Sequence, residues 1–236
     1  MLAIFKREMK AYFTSPIGYI FLASFLIITG VLFTYVSLYE GSARLTTMFE
    51  MMMSWNVFMI LIPILTMKLL SEEKKLKTDQ VLLTSPISLS AIVMGKYFAA
   101  LCMFLIGLAL TFPYVIVLYL YSAPEGLLIF GTYLGIVLVS CAFIAIGVFI
   151  SSLTENQVVA AILSFAVLFL LWIMSNLSSY VQSPAMTTIM NWVSVYDRYK
   201  DFAQGIFNPA SAIYYISVAV IFLFLTVRVM EQKRWN

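Results

Sequence analysis

Histidine is absent from the 236 residues, and cysteine occurs only at Cys102 and Cys141. The first absence removes the commonest general base and the commonest metal ligand in one step. Both cysteines fall in apolar runs without CxxC spacing, so they read as small hydrophobes packed between helices and no disulfide is expected. Charge is scarce as well: Asp, Glu, Lys and Arg make up 11% of the chain, against about 25% in a typical soluble domain. The net charge of +3 is small and scattered, which argues against a nucleic-acid surface. A phosphate-binding loop is missing too. It requires Gly-x-x-x-x-Gly-Lys-Ser/Thr, whereas Gly95-Lys96 is followed by Tyr97 and has Ser90 at the first Gly position. Neither a bound cofactor nor a catalytic residue is expected in this chain.

What is present is hydrocarbon. The chain is 63% hydrophobic with a mean hydropathy of +0.99, the composition of an all-α integral membrane protein. Charge-free runs cover 11–39, 51–67, 97–124, 126–154, 156–196 and 202–227, against the roughly 20 residues needed to cross a bilayer core. They predict six membrane spans, at about 17–38, 54–70, 97–120, 127–150, 157–176 and 209–230. The run 156–196 is too long for one span, and Pro184 opposes a second, so 177–208 is expected to form an outer loop with short helices. Tyr180, Trp192, Tyr196 and Tyr199, mixed with charge there, suit the membrane interface. No charged residue falls deep in a predicted span, which disfavours a self-powered ion-coupled carrier.

Residues 1–13 read as an interfacial helix, with Leu2, Phe5, Met9, Tyr12 and Phe13 on one face and Lys6, Arg7 and Lys10 beside it. A signal peptide is disfavoured because the following apolar run is too long and lacks a small-residue cleavage site. With six spans both termini share a side. Lys6, Arg7, Lys10, Lys68, Lys74, Lys75, Lys77, Lys96, Arg228, Lys233 and Arg234 then lie inside, and only Arg44, Arg198 and Lys200 outside. That excess places both termini in the cytoplasm.

The long charged segment is Glu72–Ser88, within a cytoplasmic loop at 71–90. As a helix it offers Glu72 with Lys75, Glu73 with Lys77 and Lys75 with Asp79, each pair worth roughly 0.2–0.5 kcal/mol. Leu69, Leu76 and Leu83 recur every seven residues on one stripe. Ser85-Pro86 disfavours helix continuation, and Ser88 or Ser90 can cap the next helix. Two readings fit this spacing: a charged hairpin that merely joins two spans, or a docking element for a cytosolic partner. Ser151–Gln157 is a second short inner turn. Gly131 and Gly135 form a GxxxG that packs either against a neighbour in the same chain or between chains. Pro63 and Pro113 interrupt the second and third spans.

In this order the segments resemble the membrane subunit of type-2 ABC exporters, most closely the branch of the gliding-motility-associated permease. The matching pieces run nearly the whole length: Ser15-Pro16-Ile17-Gly18-Tyr19, Ile62-Pro63, Thr66-Met67-Lys68 through Glu72-Glu73-Lys74-Lys75, Thr78, Leu82-Leu83-Thr84 and Pro86-Ile87-Ser88. Gly95-Lys96, Ser151-Ser152-Leu153-Thr154, Asn156-Gln157, Gly205-Ile206, Tyr214-Tyr215 and Arg234-Trp235 follow. The resemblance implies the type-2 exporter fold, with 1–13 as a connecting helix and Glu72–Ser88 as a coupling helix on a separate cytosolic ATPase. ATP and Mg would bind only in that partner, present in two copies, and two permease chains, identical or related, would form one pathway. The residues it marks for coupling are Glu72, Glu73, Lys75, Thr78, Leu82, Leu83 and Pro86; the leucine stripe adds Leu76, and the second inner turn adds Ser152, Thr154 and Glu155 as expected coupling residues. The sequence departs from the pattern at Lys77, where Gly is usual, and at Gln80, where an acid is usual. The location implied is a bacterial plasma membrane. The competing readings are a self-powered carrier or channel, or a membrane anchor that recruits a cytosolic complex without transporting.

Overall fold

Proline and serine punctuate a chain that is otherwise continuously helical. The structure, a computed structural model, describes residues 1–39, 45–54, 56–78, 87–122, 124–177 and 194–235. Helix α1 (Leu2–Thr14) stops because Pro16 forces Ser15 out of the helical region, to φ −102° and ψ 153°. Pro16 then opens α2 (Pro16–Phe33), which continues as a π-helical turn over Thr34–Tyr39. After α3 (Leu45–Ser54) come α4 (Val57–Thr66) and α5 (Lys68–Lys75), separated by a break at Met67 four residues beyond Pro63. The next pair, α6 (Leu89–Ala109) and α7 (Phe112–Tyr121), breaks just before Pro113. Then follow α8 (Gly126–Leu153), α9 (Gln157–Leu177), a short α10 (Val195–Ala203) and α11 (Pro209–Trp235).

Among the described residues five helices or helix pairs are long and apolar enough to cross a membrane, and α3 with α4–α5, bent by 72°, would make a sixth. The third of these begins at Leu89 rather than 97, which draws Lys96 inside the helix. Ser88 stands at the N-cap of α6, but its side chain makes no capping bond. Tail residues Leu82, Leu83 and Pro86 lie outside the described residues.

The centre of the bundle is α8, the most buried of the long helices. Lipid gives little hydrophobic drive for helix association, so close backbone approach must supply the contact. Glycine allows it here: a Cβ on Gly131 would lie 2.5 Å from the Phe202 carbonyl oxygen, and one on Gly135 2.8 Å from Phe202 Cβ. The GxxxG face therefore packs against α10 of the same chain. Phe21, Phe25, Phe58 and Phe104 fill the contact of α2, α4 and α6, with ring centroids 5.8–6.4 Å apart.

The charged segment is shorter as a helix than its spacing predicts. Lys77 has φ +57°, its amide donates to the Lys74 carbonyl at 3.1 Å, and the Thr78 amide donates to the Glu73 carbonyl at 2.9 Å. This is a Schellman stop with Lys77 at the left-handed position. Because α5 closes there, Leu69 is buried while Leu76 is 63% exposed, so the leucine stripe is not one buried face. Within the described part, the ion pair along the helix is Lys68 with Glu72, at 3.4 Å, and Glu73 turns elsewhere. Lys77 also occupies the position where the resembled pattern carries Gly. Lys77→Gly is expected to stabilise the chain by about 1 kcal/mol, since a side chain in the left-handed region costs roughly that much. A rise of the thermal unfolding midpoint in detergent checks it.

Candidate functional site: a charged clamp beneath an exposed helix tip

Helix α1 packs on α6; Ile4 and Tyr12 are buried, while Leu2 and Phe13 of the expected apolar face are exposed. The contact is close at Gly95, where a Cβ would meet Ile4 at 3.0 Å. One turn on from Ile4, Glu8 faces the same helix. Its Oε1 lies 3.0 Å from Nζ of Lys96, a side chain only 1% exposed. Lys96 Nζ also pairs with Glu73 Oε1 at 2.9 Å and donates to the Leu69 carbonyl at 2.7 Å. The Arg7 guanidinium, half exposed, bridges Glu8 at 2.6 Å and Glu73 from the water side. Four charges from α1, α5 and α6 thus close on one another where the bundle meets the α1 surface.

Burial pushes the Glu8 carboxyl up, but the Lys96 charge and the hydrogen bonds from Arg7 and Lys96 outweigh it and leave Glu8 below the ordinary carboxylate range. A group lowered on folding stabilises the fold above its unfolded value and loses that contribution as pH falls through the folded value. The unfolding midpoint is therefore expected to stay level down to the ordinary carboxylate range and to drop below it. Glu8→Gln should flatten that acid limb, as read by thermal unfolding across pH.

The same surface holds a cavity of about 290 Å³, lined among others by Arg7, Tyr12, Ser15, Lys68, Glu72 and Leu76. Beyond it the end of α5 stands free: Lys75, Leu76 and Thr78 are exposed, whereas Glu72 is partly covered and Glu73 is built into the clamp. At the second inner turn Glu155 is exposed and Thr154 partly so. The Thr154 hydroxyl accepts from the Asn156 amide at 3.2 Å, and Asn156 Oδ1 caps α9 through the Val158 amide at 2.9 Å. Ser152 is buried and donates to the Phe149 carbonyl at 2.6 Å, which leaves its neighbours to form the surface.

The arrangement is that of a membrane bundle with one clamped helix end presented to water. A sequence-family profile described as "ABC-2 family transporter protein" matches residues 2–230. The chain belongs to that ABC-2 family. It is a multi-pass ABC-transporter permease, a membrane subunit rather than the ATPase, and the family associates such subunits with an ABC ATPase in a dimeric arrangement. No curated protein matches the sequence. In the ABC-2 permease the clamp is what the sequence reading missed. Lys96 read as a topology signal and Glu8 went unread beside Lys6, Arg7 and Lys10, although an isolated acid in a basic surface helix is itself a signal of a partner.

Proposed function

We propose that this chain is the six-span permease of an ATP-driven exporter, of the gliding-motility-associated branch, with both termini in the cytoplasm of a bacterial cell. It pairs with itself or a sister chain to form the pathway. A separate cytosolic ATPase, two copies per transporter, binds ATP and Mg and docks on Glu72–Ser88 and on the turn at Thr154 and Glu155.

The observation that supports this reading best is the contrast along α5: its base is clamped by buried charge to α1 and α6, and its tip is exposed at Lys75, Leu76 and Thr78. A rigid base with a free tip passes displacement of a docked partner into the bundle. When the ATPase subunits close on ATP, the docked tip follows and the spans reorient.

Leu76 is exposed and apolar, the kind of side chain a partner buries. Leu76→Asp, alone or with Leu83→Asp, is expected to weaken ATPase binding at least tenfold, the loss that follows from about 1.4 kcal/mol. Membrane insertion and the clamp should be unaffected. Binding equal to wild type in detergent-solubilised protein would remove the docking assignment.

A further inference from the structure

The break between α4 and α5 is occupied by side chains from three other helices. Tyr12 of α1 donates its hydroxyl to the Leu65 carbonyl at 2.8 Å, and Lys96 of α6 donates to the Leu69 carbonyl. Between them sits Ser151 of α8, wholly buried. Its hydroxyl accepts from the amides of both Leu70 and Ser71, at 3.1 Å each, and donates to the Met67 carbonyl at 3.1 Å. The Ser71 hydroxyl turns back onto the same carbonyl.

A side chain inserted in this way interrupts the i→i−4 ladder, here by taking the amides of Leu70 and Ser71. One turn earlier, a Cβ on Gly147 would come within 2.2 Å of Thr66 Oγ1, so α8 lies directly against the end of α4. Two residues after Ser151, α8 ends and the turn at Thr154–Asn156 begins.

We infer that Ser151 is a positioning residue that pins α5 to the inner end of α8, so that the tip of α5 and the Thr154–Asn156 turn move as one body. The inference deepens the coupling reading and rests on it for its consequence in the assembled transporter. Without the pin, the α5 tip and the turn would follow a docked partner separately.

The test uses the permease chain by itself, so it reads out whether or not an ATPase docks. Spin labels at Lys75 and Glu155, both exposed, are placed in the chain with Cys102 and Cys141 replaced, and their separation is measured by pulsed electron resonance in lipid nanodiscs. The wild-type background should give one narrow distance distribution. Ser151→Ala leaves two amides without their acceptor and should broaden it, and Ser151→Thr, which keeps the hydroxyl, should restore it. Gly147→Ala, which pushes α8 off α4, should broaden it independently. In the assembled transporter Ser151→Ala should keep ATP turnover and lose transport per ATP, and Ser151→Thr should regain it. A broad wild-type distribution, or a Ser151→Ala distribution as narrow as wild type, would overturn the pin. Failure of Leu76→Asp to release an ATPase would overturn the coupling reading and leave this result standing.

Discussion

Replacing Lys96 by methionine is expected to cost about 3–5 kcal/mol, the usual penalty for removing one member of a buried ion pair. The methionine fits the apolar stem, but Glu8 and Glu73 are then left facing each other without the charge that lies between them at 3.0 and 2.9 Å. The Leu69 carbonyl loses its donor in the same step. Arg7 cannot take over: it is half exposed, and an exposed pair contributes no more than about 1 kcal/mol, so Arg7→Ala should be mild. A triple variant, Glu8→Gln with Glu73→Gln and Lys96→Met, removes the repulsion and should recover most of the loss. Thermal unfolding in detergent orders the set; a Lys96→Met protein as stable as wild type would mean that the clamp contributes nothing.

Gly147→Val is expected to be the second most damaging change. Its Cβ would lie 2.2 Å from Thr66 Oγ1 and 2.9 Å from Thr66 Cβ. Thr66 is fully buried and donates its hydroxyl to the Ile62 carbonyl at 3.0 Å, so it cannot swing aside without losing that bond. The two helices must separate, and overpacking of this kind costs about 1–3 kcal/mol. Separation also draws Ser151 away from Met67, so the variant should lose coupling as well as stability. Combining it with Thr66→Ala removes the closest atom and should restore part of the midpoint. A Gly147→Val chain that unfolds with the wild-type midpoint would show that α8 does not need the close approach.

Much of the fold is legible because it depends on local signals. Charge-free runs locate the long helices, Ser15-Pro16 marks the end of α1, and the Gly131/Gly135 spacing marks a face that needs a close neighbour. The departure at Lys77 even marks the residue with φ +57°. Position within a run is less legible: Lys96 sits beside an apolar stretch and reads as its boundary, although α6 begins seven residues earlier. The clamp and the pin are illegible for a stronger reason. Glu8 meets Lys96 across 88 residues, and Ser151 meets Met67 across 84, so no periodicity connects them. Pro63 hints at a break, but nothing near it in sequence says that a serine from α8 will occupy it.

Coupling to a separate ATPase is the central claim, and the most direct measurement is to purify the chain in mild detergent from its native membrane, identify what accompanies it, and assay solute movement in vesicles with and without ATP. The account predicts that a phosphate-loop ATPase comes with the permease in a one-to-one ratio, that Leu76→Asp releases it, and that solute moves only when ATP is supplied. A chain that comes out alone and moves solute in ATP-free vesicles would contradict it.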